Sequence, residues 1–359
     1  MESHVVRDLL LLILLCLSVL SVCQELDVQE GQQFITWGDL SLEDQSNSKR
    51  PNSEDGMSSR VIIVSKDGNG DSITVQGAVD LVPDGNNQRV KILISPGVYK
   101  EKVLIPSRKP YISFISNGSS ETVISWNARA SDRLANGQMI GTLDSASVAV
   151  ESDYFCANGI TFKNTAPAAL PGAVGLQAVA LRVSGDKAVL YRCRILGNQD
   201  TLYDHQGRHF FNQCYIEGSI DFIFGDAKSL YQECTLHTVA ESYGAIAASQ
   251  RSSPSEDSGF SFTKCKVEGS GSLYLGRAWG SCARVVYSLC RMDGIILPQG
   301  WDDWGDPSRR GTVWFGEFEN TGRGANLSGR VPWARQLNHD EAKPFLDQNY
   351  IDGDQWLSL

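Results

Sequence analysis

The chain has 359 residues, a formal net charge of −10, 42% hydrophobic residues and 34 glycines. That length allows one large β domain or two ordinary ones, with enough apolar content to fill a core. The negative charge argues against nucleic acid, or any polyanion, as a general partner.

Residues 9–22 form an apolar run after Arg7, followed by small and polar residues at 21–24. The run is shorter than the ~20 residues of a membrane span, and residues 1–23 read as a secretory signal peptide. A membrane anchor is the competing reading, although no second apolar run follows. Residues 24–60 include EDQSNSKRPNSEDGMSSR and read as a flexible lead-in. The folded domain is expected over residues 61–359. It opens with the strand VIIVS at 61–65. Beyond DGNGDS, Val75, Ala78, Val79 and Val82 fall at helical spacing behind Thr74 as a cap, predicting a short helix that closes the first coil. RVKILIS, KVLIP, YISFIS and TVISW follow as short strands with turn signals between them.

From Ser147 the pattern becomes regular, through SVAVES, NGITFKNT, QAVALRVSG and AVLYRCRILG, and then one unit is written twice. YRCRILGNQD at 191–200 returns as NQCYIEGSID at 212–221, so Cys193, Ile195, Gly197 and Asp200 recur as Cys214, Ile216, Gly218 and Asp221, each 21 residues on. A period near 20 residues is the signature of a solenoid. SLYQECTLHT, AIAAS, GFSFTKCKVEG, SLYLG and RVVYSLC continue it. The expected fold class is all-β, a single-stranded right-handed parallel β-helix with an N-terminal capping helix. A β-sandwich is the rival, and it would show hairpin turns in place of a stacked period. After Ile296 the pattern gives way to a long stretch rich in Gly and Trp, of the kind that walls a site. HDEAKPFL near the end resembles a helix start.

Seven cysteines follow the leader, which holds Cys16 and Cys23. Cys193, Cys214 and Cys234 recur at coil spacing and read as an inward stack of small hydrophobes, with a Cys193–Cys214 bridge as the alternative. No pair has zinc-site spacing. Asn117-Gly-Ser119 and Asn326-Leu-Ser328 are glycan acceptor triplets.

In a parallel solenoid, equivalent positions of neighbouring coils stack about 4.8 Å apart, which places Asp200 beside Asp221. Two carboxylates that close cannot both ionise easily, so one becomes an acid and the other stays a base or nucleophile. Solvated turn aspartates are the bland alternative. Gln177 and Gln199, one coil apart, are expected on the same face, where amide N–H groups could stabilise an oxyanion; a structural glutamine ladder is the alternative. Arg277 and Trp279 in LGRAWG are expected on one strand face, the first to hold an aspartate ionised and the second to offer a flat surface to a sugar ring.

GVYKE at 97–101, QAVAL at 177–181, GNQDTLY at 197–203, DFIFG at 221–225 and LGRAW at 275–279 together resemble the ordered signature of plant pectin methylesterases. The resemblance covers residues 61–359. It implies a β-helix catalytic domain that removes methyl groups from esterified galacturonan, with Asp221 as nucleophile, Asp200 as proton donor and Gln199 stabilising the transition state. Gln177, Arg277, Trp279 and Thr142 would bind substrate, Thr142 being the best match to a threonine in the strand before QAVAL. The family usually carries proline where this chain has Ala278, a change expected to loosen that backbone. The quartet-type subgroup linked to pollen separation resembles this chain in that alanine and in lacking an inhibitor-like pro-region. The resemblance implies no metal or organic cofactor. Its partners would be methyl-esterified homogalacturonan and a proteinaceous inhibitor, and its setting a secreted monomer in the cell wall, free of the membrane after signal cleavage. A retaining glycoside hydrolase on the same solenoid and an inactive wall-binding protein are the competing functions.

Overall fold

The structure is a computed structural model that describes residues 34–42, 60–168 and 174–359. The leader with Cys16 and Cys23, and most of the lead-in, lie outside the described residues. From Arg60 the chain winds into a parallel β-helix whose coils each contribute short strands to three faces. The first face is an 11-stranded sheet running from Arg60–Val64 to Arg335–Gln336. The other two faces share a 14-stranded sheet, because Thr235–Ser249 and Lys266–Arg277 run unbroken around the bend between them. The sequence suggests two segments where Thr235–Ser249 is one strand. The polar ESYG insert is carried through with a register irregularity between Val239 and Tyr243.

The 21-residue spacing is the observed register, since Leu181 pairs with Leu202, and Leu202 with Ile223. Stacking like on like fills the interior. Phe211, Tyr231, Phe262 and Tyr287 form a ladder of stacked rings with centroids 4.6, 4.6 and 4.5 Å apart. Cys193, Cys214, Cys234, Cys265 and Cys290 form a second column. All seven described cysteines are free and buried, so core packing holds in place of a Cys193–Cys214 bridge. Each thiol from Cys214 onward donates to a carbonyl of the preceding coil, for example Cys214 Sγ to Leu190 O at 3.3 Å. The residue before each cysteine of the column is left-handed, with φ of 51° to 57°.

The predicted helix is present at Val75–Asp80, with the Thr74 side chain accepting from Gly77 N. Glu101 of GVYKE completes that N-terminus, its two carboxylate oxygens accepting from Val75 N and Gln76 N, both at 2.9 Å. At the other end the buried Lys109 ammonium donates to Val79 O and Asp80 O at 3.0 and 3.1 Å. Negative charge at the N-terminus and positive charge at the C-terminus both suit the helix dipole. Glu101 is thus a structural residue.

The described part of the expected lead-in is tied to the solenoid. Ile35–Thr36 pairs in parallel with Leu357–Ser358, Asn158 Nδ2 donates to Leu40 O at 2.6 Å, and Asp39 meets Arg89 at 3.4 Å. The polarity of residues 43–60 hides this anchor in a sequence average, yet Ile35 and Leu40 are buried. With the C-terminal turns, including the expected helix at His339–Ala342, they cover the outer side of the first face in a second core around Val189, Phe210 and Leu230.

Candidate active site

The chemistry gathers where each coil turns from the second face onto the third. In the doubled unit that turn joins Arg194–Leu196 to Leu202–Asp204, and again Tyr215–Gly218 to Ile223–Gly225. The turn is tight enough to need its repeated glycine: a Cβ on Gly218 would lie 2.2 Å from Phe222 Cβ and 2.7 Å from Asn198 O. Both aspartates are left-handed, Asp200 at φ 60° and Asp221 at φ 48°, a conformation that aspartate tolerates better than most residues. Asp200 N donates to Ile220 O at 3.1 Å, locking one turn onto the next. Beneath this region, buried His209 is held between Asp204 Oδ1 at 2.5 Å and Gly185 O at 2.8 Å, while Tyr231 donates to Asp204 Oδ2 at 2.6 Å. Burial alone would lower the His209 pKa, but the Asp204 charge and hydrogen bond carry it above its ordinary value.

Arg277 comes from the third face, with Ala248 and Asp302 at the paired positions of the coils on either side. Its Nε donates to Asp221 Oδ1 at 2.8 Å and its Nη2 to Oδ2, a bidentate pair. The two carboxyls therefore differ. Burial and then the charge of Asp221 push Asp200 well above the usual carboxylate range, against Arg277 and a Gln199 hydrogen bond. Burial also raises Asp221, but there the Arg277 hydrogen bonds and charge oppose it directly. Both therefore sit above the ordinary carboxylate value, Asp200 the further of the two, so Asp221 is the first to lose its proton.

A cavity of about 350 Å³ opens over this pair. Thr142, Gln177, Gln199, Asp200, Asp221, Arg277 and Trp279 all line it, so the structure brings together every site residue expected from sequence. Four of them arrive differently from expectation. Ala178 N donates to Gln199 O at 3.2 Å, so Gln177 and Gln199 are one residue out of register; both still face the cavity because neither lies in a strand. Thr142 sits in the one-turn helix Gly141–Asp144, not in a strand. Trp279 lies in the turn beyond Lys266–Arg277. Nor does Ala278 leave its backbone loose: its N–H, which proline would lack, donates to Asp302 O at 2.9 Å, and its side chain is buried.

Sequence reasoning misses the cavity's aromatic lining. Tyr203 and Phe224 stack at 4.3 Å, and Phe224 meets Trp279 at 6.0 Å; the same 21-residue step that paired the aspartates pairs these rings. Trp304, from the long C-terminal stretch, lies 4.1 Å over the Arg277 guanidinium. Asp302 Oδ1 accepts from Trp304 N at 2.9 Å and holds that turn. No repeat points to Trp304. Among the described residues, no group of three or more His, Cys, Asp or Glu is placed to hold a metal ion.

Comparison with known proteins agrees with this geometry. A profile of the Pectinesterase family matches residues 61–354. Pectinesterase QRT1 of Arabidopsis thaliana is 52% identical over 97% of this chain and 96% of its own. Among solved structures, pectin methylesterase from carrot is 35% identical and superposes with a TM-score of 0.75, covering 85% of this chain and 97% of that one. A pectin methylesterase in complex with a hexasaccharide is 25% identical with a TM-score of 0.72, covering 84% and 99%.

Proposed function

This chain belongs to the pectinesterase family and hydrolyses the methyl esters of galacturonan to methanol and pectate, and we propose that it does so by two-step acyl transfer at Asp221. The ionised Asp221 carboxylate attacks the C6 carbonyl of a methyl galacturonate unit. Gln199 and Gln177 donate to the oxyanion as it forms. Protonated Asp200 gives its proton to the departing methoxide, releasing methanol and leaving an anhydride between Asp221 and the sugar. Asp200, now ionised, takes a proton from water as the hydroxide adds to C6. Collapse frees the galacturonic acid and restores Asp221. Arg277 orients Asp221 throughout, while Trp279, Trp304, Tyr203 and Phe224 give the sugar rings apolar surfaces.

The observation that carries this reading is the unequal treatment of two neighbouring aspartates, of which only Asp221 is paired with Arg277. The test is to incubate the protein with methylated polygalacturonan and follow methanol, reducing ends and viscosity together. Methanol without new reducing ends is expected. New reducing ends would instead make it a glycoside hydrolase, and no change at all a binding protein.

The apolar run at 9–22 supports a signal peptide, and with it secretion and action in the cell wall. Asn326 is exposed and Asn117 half-buried, so Asn326 is the better glycan acceptor. Mass spectrometry of the protein recovered from a plant cell wall would reveal the mature N-terminus and any glycan. An N-terminus at Met1 would exclude cleavage. A proteinaceous inhibitor would occupy the same groove and compete with substrate.

A further inference from the structure

The turn Leu275–Gly280 carries both Arg277 and Trp279, and its strand ends at Arg277. Two of its N–H groups still bond to neighbouring coils, Ala278 N to Asp302 O and Gly280 N to Ser249 O, both at 2.9 Å, but the Ala278 and Trp279 carbonyls are held by a side chain. Arg309 Nη1 donates to Ala278 O at 2.5 Å and to Trp279 O at 2.7 Å. Arg309 is itself oriented, because its Nε donates to Asp306 Oδ2 at 3.1 Å. Asp306 Oδ1 caps the short turn Pro307–Gly311, accepting from Ser308 N and Ser308 Oγ at 3.1 and 2.6 Å. Asp306, Arg309 and two consecutive carbonyls thus form one relay that ends at the peptides beside Arg277. Arg309 does not line the cavity.

We propose that Arg309 is a positioning residue for the esterase reaction, fixing the Ala278 and Trp279 peptides so that Arg277 and Trp279 keep their places over Asp221. It acts where proline would otherwise restrict the backbone, and it leaves the Ala278 N–H free for Asp302 O. The inference rests on the roles proposed for Asp221 and Arg277 in the esterase reaction. Because only Nη1 reaches the two carbonyls, a lysine ammonium carries enough donors to replace it in part.

The experiment compares Arg309→Ala, Arg309→Lys and Asp221→Asn in the full chain, measuring kcat, KM and thermal midpoint on methylated polygalacturonan. Displacing a catalytic group by about 1 Å can cost about 100-fold. Arg309→Ala should therefore lose roughly 10- to 100-fold in kcat while its folded fraction at assay temperature stays that of the wild type. Arg309→Lys should recover part of the loss, and millimolar guanidinium added to Arg309→Ala should restore activity without raising its thermal midpoint. Wild-type kcat in Arg309→Ala, or a loss explained by unfolding and indifferent to guanidinium, overturns the proposal. Activity surviving in Asp221→Asn would instead overturn the mechanism beneath it, so the two failures are separable.

Discussion

Two of the arginine–carboxylate pairs among the described residues are put to opposite uses. Arg330 and Glu317 tie the C-terminal stretch to the solenoid, with side chains 7% and 3% exposed. Arg330 donates to both Glu317 oxygens at 2.7 and 3.1 Å and to Gly324 O at 2.6 Å, while Trp301 Nε1 donates to the same carboxylate at 3.2 Å. Arg277 and Asp221 make the same fork-to-fork contact, but both line a cavity, on a left-handed aspartate with a second carboxyl as neighbour. The closed pair has its hydrogen-bonding capacity used within the protein. The open pair keeps a face for a reacting ester, at a cost in stability that the closed one avoids.

The largest expected effect is on the open pair. Asp221→Asn should lower kcat by about 10³-fold or more, while circular dichroism shows an intact fold. Next is the neighbouring carboxyl: Asp200→Asn should cost about 10²- to 10⁴-fold in kcat and change the pH profile. In the wild type kcat/KM should fall as pH drops through the titration of Asp221 and again as it rises through that of Asp200. The variant should lack the alkaline limb. The stability sign is opposite to that of an ordinary salt-bridged aspartate. The folded-state pKa of Asp200 lies above its unfolded value, so the folded protein holds the extra proton and stability falls as pH rises between the two. Above that interval Asp200→Asn should melt higher than the wild type in a calorimeter, and an unchanged or lower midpoint would contradict the assignment.

Breaking the closed pair should invert the pattern. Glu317→Gln leaves a buried guanidinium without its counter-charge and should destabilise by about 3–5 kcal/mol, read from urea unfolding, with kcat/KM of the folded protein unchanged. A loss of activity at constant stability would mean that the C-terminal tie reaches the cavity. The smallest effect is expected at Trp304, which covers one face of Arg277. Trp304→Ala should raise KM by about 2- to 5-fold, the scale of an exposed cation–π contact, with kcat little altered.

What the sequence discloses is whatever the 21-residue step repeats. Cys193 with Cys214 and Asp200 with Asp221 recur at identical offsets, so the thiol column and the acid pair are legible before any coordinates. The residues that stay hidden come from outside the repeat. Trp304 and Arg309 sit on one irregular stretch, which its length marks as the kind that walls a site, as Trp304 does, but no spacing in it singles out either residue. Ile35 and Leu40 are obscured by the polar residues around them, and their partners, Leu357 for the first and Asn158 for the second, are remote in sequence. Local pattern reports stacking well, and it reports poorly on segments placed by a distant partner. The departure at Ala278 misleads for the same reason, because the loss of proline is visible in the sequence and the clamp from Arg309 is not.

The pairing of Ile35–Thr36 with Leu357–Ser358 bears on how the molecule comes into being. A solenoid can wind coil by coil as its polypeptide leaves the ribosome, each new turn settling on the last. The outer layer cannot, since its first strand must wait for Leu357–Ser358, made after all the coils between them. The latch therefore closes only after those coils exist, and until then the nascent protein carries finished coils under an uncovered wall.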